Sequence, residues 1–170
     1  MTSLVMSFIG RDKPGLVGLL SSTIAEHQGN WLESGMSRLG GQFAGVLIIQ
    51  VPAEQEEALS AALKGLEVQG LKVSVERSED ATAEPETRAV TLDLVGHDKT
   101  GIVRDISRAL ASMQINVHKM QTELVSGSMS GEQLFKASAE LLVPSPVDLD
   151  ELQDKLEAIA SDLMVDITLD

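Results

Sequence analysis

Two short segments of the chain set a carboxylate, an ammonium group and a pair of glycines in the same order. Gly10-Arg11-Asp12-Lys13-Pro14-Gly15-Leu16-Val17 recurs as Gly96-His97-Asp98-Lys99-Thr100-Gly101-Ile102-Val103, 86 positions later. An apolar run at helical spacing follows each segment and ends near an Asn, Asn30 in the first copy and Asn116 in the second. Free N–H groups at a helix N-terminus bind a carboxylate. Asp and Asn oxygens accept hydrogen bonds from an ammonium. If loop and Asn form one polar pocket, that pocket suits a free amino acid, which carries both charges. The same residues also have purely structural readings. Gly10 and Gly96 can end a strand, Gly15 and Gly101 can permit close packing, and Asp12 and Asp98 can cap helices. Asn30 and Asn116 can be helix stop residues.

Other chemistry is thinly represented. The chain has no Gly-x-Ser-x-Gly, no phosphate-binding glycine loop with its Lys, and no cysteine. Disulfides, thiolate metal sites and a Cys nucleophile are therefore excluded. His27, His97 and His118 are not at the spacing of a metal site, so no metal and no cofactor is expected. The run Glu54-Gln55-Glu56-Glu57 reads as the solvated start of a helix, where negative charge is favoured. Trp31 and the methionines read as packing groups.

Charge narrows the partners. Acids outnumber bases 26 to 13, giving a net charge of −13. DNA binding draws most of its affinity from Lys and Arg on phosphates, so direct nucleic-acid binding is not expected, and an anionic membrane surface would repel the chain. The N-terminus, MTSLVMSFIGRDKPG, has no basic lead-in and too short an apolar stretch for a signal peptide or a membrane span. A cytoplasmic location is the default expectation.

The elements that position the loops repeat with them. Leu4, Met6 and Phe8 alternate with Val5, Ser7 and Ile9 as a strand does, and Val90, Leu92 and Leu94 match them. Leu16, Leu19, Leu20 and Ile24 then fall at helical spacing, as do Ile102, Ile106, Leu110 and Met113. Pro14 suits the first helical turn, and the helix should stop near Gln28-Gly29. Two strands follow, about 31–39 and 42–51, joined at Gly40-Gly41; the second copy has about 116–125 and 133–143. A second helix carries Leu59, Leu63 and Leu66, matched by Leu152, Leu156 and Ile159. A last strand holds Val73 and Val75, then Val165, Ile167 and Leu169.

From Phe43 and Phe135 onward the register of the repeat lengthens to 92, which places six extra residues in the second copy, within Ser126-Gly127-Ser128-Met129-Ser130-Gly131. The same shift relates Val73 to Val165. Residues 78–87 are acidic, lack large apolar side chains and contain Pro85, so they read as a linker between domains at 1–77 and 88–170. The predicted class is α+β: two ferredoxin-like βαββαβ domains, each an antiparallel sheet with both helices on one face. Each is small for an independent core and leaves one sheet face bare, so pairing of copies or of chains, as in a homodimer, is expected.

The strand, the Gly-x-Asp-Lys-x-Gly-(Leu/Ile)-Val loop into a helix, and the Asn before the second strand resemble the ACT domain. Two such domains with little else resemble the glycine cleavage system transcriptional repressor family and its stand-alone relatives. That resemblance implies a non-catalytic amino-acid sensor whose ligand sits where two domains meet side by side. It places ligand contacts at Asp12, Gly15 and Asn30, and at Asp98, Gly101 and Asn116. It implies glycine or a similar small amino acid as effector, and a DNA-binding protein of the LysR type as partner. The alternative is a free-standing regulatory subunit that docks on a metabolic enzyme. Thr100 stands for Pro14 and Ile115 for Gly29 in the second copy, so the two pockets are not expected to be equivalent.

Overall fold

The computed structural model describes residues 1–78, 86–127 and 131–170, in two compact units, Met1–Ala81 and Thr82–Asp170. The first runs β1 (Thr2–Arg11), α1 (Leu16–Glu26), β2 (Asn30–Leu39), β3 (Gln42–Val51), α2 (Glu56–Lys64) and β4 (Leu71–Arg77). Short 3-10 turns at Ala53–Gln55 and Gly65–Gln69 flank α2. The second runs β5 (Thr87–His97), α3 (Ile102–Ser112), β6 (Asn116–Ser126), β7 (Gln133–Pro144), α4 (Leu149–Leu163) and β8 (Val165–Leu169). The sheets are antiparallel, ordered β2-β3-β1-β4 and β6-β7-β5-β8. The architecture is the expected α+β, ferredoxin-like βαββαβ twice. Residues 79–85 of the stretch read as a linker, and 128–130 of the long hairpin, lie outside the described residues.

Alternation in the strands selects the core. Leu4, Met6 and Phe8 of β1 are buried against Leu20 and Ile24 of α1 and Leu59 and Leu63 of α2. Phe8 and Phe43 meet with ring centroids 5.5 Å apart. In the second unit Leu92 and Leu94 pack with Ile106 and Leu110 of α3 and Leu152 and Leu156 of α4. Each fully buried Leu contributes about 1.5–3 kcal/mol. Aliphatic side chains therefore carry cores that have almost no aromatics. A bidentate pair ties β4 to the start of α2: Arg77 Nε and Nη2 donate to the Glu56 carboxylate at 2.6 and 3.0 Å. Hydrogen bonding from Arg77 lowers the pKa of Glu56.

Two expectations need correction. Pro14 does not occupy the first turn of α1; the helix starts at Leu16 behind Gly15, and Pro14 lies in the turn before it. Nor does Val73 correspond to Val165. Gly10 faces Leu71 and Gly96 faces Val165, so Leu71 matches Val165 and Val73 matches Ile167. The second copy has gained two residues here because α4 is one continuous 15-residue helix, where the first unit has α2 and a 3-10 turn. Valines in the last strand of each unit gave a coincidental match.

The first helix of each unit ends in a Schellman motif. Gly29 N–H donates to Ile24 C=O (2.9 Å) and Gln28 N–H to Ala25 C=O (3.0 Å); Ile115 and Gln114 repeat the pattern on Leu110 and Ala111. Gln28 and Gln114 take φ of 61° and 58°, a left-handed conformation that suits glycine. Gln114→Gly should therefore raise stability by about 0.5 kcal/mol, the left-handed penalty less the greater entropy of an unfolded glycine. Chemical denaturation reads this, and a lowered midpoint would mean that the Gln side chain holds the turn.

Candidate functional site

Each doubled motif forms the turn from the first strand of its unit into the first helix. Its first glycine serves the sheet. A Cβ on Gly10 would lie 2.5 Å from the Gly70 carbonyl oxygen, and one on Gly96 would lie 2.3 Å from Cγ1 of Val165 and 2.9 Å from its Cα. Close approach of β4 and β8 thus accounts for Gly10 and Gly96. Its second glycine serves the helix start. Gly15 and Gly101 have φ of 93° and 94° and stand at the N-caps of α1 and α3 with no side-chain cap bond.

The first intrahelical bonds run from Leu19 N–H to Gly15 C=O at 2.9 Å and from Asp105 N–H to Gly101 C=O at 3.0 Å. The amides of Leu16, Val17 and Gly18, and of Ile102, Val103 and Arg104, precede those bonds. Asp12 and Asp98 do not cap them, which removes one structural reading of the motif. What remains is an uncapped positive helix pole beside an acidic loop in each unit, an arrangement that can accept an anion.

The two loops differ in charge. Asp12 N–H donates to Gly41 C=O at 2.9 Å, and the Asp12 carboxylate pairs with Arg38 Nε of β2 at 2.8 Å. Lys13 Nζ donates to Gln69 C=O at 3.0 Å. Asp98 N–H makes the matching bond, to Gln133 C=O at 3.1 Å. However, Arg38 faces Phe43 where Leu124 faces Phe135, so Leu124 holds the position of Arg38. Among the described residues the Asp98 carboxylate has no side-chain partner. Arg104 replaces Gly18, and its guanidinium lies against Gly101, 2.9 Å from where a Cβ would be, while its Nε donates to Asp105 at 3.1 Å. His97 Nδ1 lies 3.1 Å from Glu132 Oε2 nearby. Sequence reading passed over Arg38 and Arg104, although comparison of the copies at the shift of 86 exposes both.

The asparagines are not helix stops. Asn30 and Asn116 open β2 and β6 and are exposed. Asn30 faces Gln50, which faces Ser3, nine residues before Asp12. At about 3.3 Å per residue this separates Asn30 from its own loop by about 30 Å. Asn116, through Leu142 and Ala89, is displaced from Asp98 in the same way. Loop and Asn of one unit therefore do not form one pocket, contrary to the simplest sequence reading. A β-bulge follows each Asn, between Trp31 and Glu33 and between Val117 and Lys119.

The histidines are dispersed. His27 Nδ1 is 2.8 Å from the Thr23 carbonyl in the neighbouring turn. Among the described residues no group of His, Asp and Glu is arranged to hold a metal ion, and no helix is long and apolar enough to cross a membrane.

Comparison with known proteins follows the duplication. Two family models described as ACT domain match the chain, one over residues 2–76 and the other over residues 84–161. The chain is a tandem ACT-domain protein. ACT domains typically bind amino-acid effectors. A crystal structure of an unknown protein from Galdieria sulphuraria superposes on this ACT pair with a TM-score of 0.85 and 28% identity, covering 99% of this chain and 97% of that one. A protein assigned as a glycine cleavage system transcriptional repressor superposes with a TM-score of 0.72 and 20% identity, covering 99% and 96%. That second likeness is one of fold. No curated protein matches the sequence.

Proposed function

We propose that this tandem ACT protein is a non-catalytic sensor of a small amino acid, glycine or a close analogue, that controls transcription through a DNA-binding protein partner of the LysR type. One observation carries the ligand reading: each unit presents an uncapped helix N-terminus behind a left-handed glycine, Gly15 or Gly101, next to an Asp. The helix pole suits the ligand carboxylate and Asp98 or Asp12 suits its ammonium. The opposite placement of Asn30 and Asn116 supports a composite site, in which the Asn of one domain completes the loop of another. The net charge of −13 favours an indirect route to DNA. A ligand at such a junction shifts the population of domain arrangements, provided it binds them unequally.

Thermal unfolding against a panel of amino acids tests this reading. At ten times its dissociation constant, a ligand that binds only the folded state adds about 1.4 kcal/mol, a rise of a few degrees in Tm. Asn30→Ala and Asn116→Ala, both at exposed strand starts, should keep the unliganded Tm and lose the rise. A flat response to every amino acid would leave the loops without a ligand role.

A further inference from the structure

The duplication supplies an internal control on the two bare sheet faces. In the first unit the face turned away from the helices presents Val5 and Ile9 of β1 and Ala44, Val46 and Ile48 of β3. Ile9 is 47% exposed and Val46 52%. The matching register in the second unit holds Thr91, Val95, Lys136, Ser138 and Glu140. Fold and position are the same, yet one face is dressed for water and the other is not. A bare apolar sheet face of this kind marks an interaction surface.

We propose that this face of the first unit is a homodimer interface, covered by the same face of a second copy of the chain. Three consecutive rows define it: Ala44–Ile9–Lys72, Val46–Ser7–Ser74 and Ile48–Val5–Glu76. A two-fold axis along the middle row lays the upper row of one copy on the lower row of the other. Ile9 then meets Val5, small Ala44 meets large Ile48, and Lys72 meets Glu76, twice by symmetry. The shallow depression lined by Ser7, Ile9, Lys72 and Ser74 receives branched side chains of the partner copy.

An axis along the strands is disfavoured. Along β1 it sets Glu76 against Ile48 and Lys72 against Ala44, which leaves both charges without a partner on apolar surface. Charge thus selects both the occupant and its direction. Strand spacing of about 4.8 Å and residue rise of about 3.3 Å give a patch that buries on the order of 1,000 Å² in total, the low end for a specific interface. The dimer is therefore reversible.

Sedimentation equilibrium of the full chain over a wide concentration range tests the inference. The expected mass rises from that of the 18.1 kDa monomer towards twice that value. Val46→Glu should hold the protein monomeric with its Tm unchanged, whereas Ser138→Glu at the matching position of the second unit should leave association intact. Lys72→Glu and Glu76→Lys, both at exposed positions, should each weaken the dimer about tenfold, and the two reversals together should restore it. A monomer at every concentration overturns the inference. So does a dimer indifferent to Val46→Glu, or single reversals that the double reversal does not rescue.

Discussion

Gly96→Ala should destabilise the second ACT domain by about 3 kcal/mol, enough to lower its Tm by more than about 10 °C. The new methyl would lie 2.3 Å from Val165 Cγ1, 2.8 Å from Cβ and 2.9 Å from Cα of the same residue. A rotamer change can move Cγ1, but Cα belongs to the backbone and moves only with the strand. β5 and β8 must separate by roughly an ångström, at the first of the five register pairs that join them, Gly96 with Val165. Gly10→Ala meets the Gly70 carbonyl at 2.5 Å and should cost a similar amount in the first domain. Gly15→Ala is the control. Its Cβ meets nothing within 4 Å, and only its φ of 93° opposes the change, at about 1–2 kcal/mol. Denaturation of the three variants separates crowding from conformational strain. If Gly96→Ala costs no more than Gly15→Ala, β8 is loosely held, and the first motif glycine needs a reason other than packing.

The duplication made the fold legible. Periods of two and of three to four residues, repeated in order, identify strands and helices without any reference to contacts, and Leu4, Met6, Phe8 and their counterparts Val90, Leu92 and Leu94 are all buried. Local chemistry was less reliable. Pro14 satisfies the rule for a first helical position, but the chain needs the left-handed turn at Gly15 before α1 can begin. The last strand was misregistered because valines at 73 and 165 match by type, whereas register follows from the length of the preceding helix, and sequence periodicity does not fix where a helix gives way to a 3-10 turn. The candidate residues stand out in the sequence by their repetition, but their places in the fold do not. Asp12 and Asn30 lie close in sequence across one helix, yet an α1 that returns antiparallel to β1 carries them to opposite ends of the sheet. The differences between the copies at Arg38 and Leu124, and at Gly18 and Arg104, acquire meaning only when register sets them beside the loops.

Those differences predict that the two loops hold an amino acid with unequal strength. The Asp12 carboxylate is already engaged by Arg38 at 2.8 Å, so an incoming ammonium must share it. Asp98 has Leu124 at the position of Arg38, and among the described residues no side chain engages its carboxylate. At the other end of the ligand, Arg104 adds a guanidinium beside Gly101 where the first copy has Gly18. The exchange of Arg38 for Leu124 favours the second loop; Arg104 is itself paired with Asp105 at 3.1 Å, an acid in the first turn of α3 that α1 lacks, and adds little. Asp98→Ala should lower affinity there about thirtyfold, the loss of a charged hydrogen bond worth about 2 kcal/mol. Asp12→Ala should cost the first loop only a few-fold. Leu124→Arg should weaken the second loop towards the level of the first, and Arg38→Leu should strengthen the first. Titration calorimetry with the amino acid that raises Tm would measure all four, with circular dichroism confirming that each variant is folded. If Asp12→Ala and Arg38→Leu prove the costliest changes, then Arg38 binds the ligand carboxylate itself, and the first loop, with its paired Asp, is the tighter site. The physical reason would be that an ion pair which neutralises one half of a zwitterion can orient the other half. The sign of the Arg38→Leu effect therefore decides which domain senses.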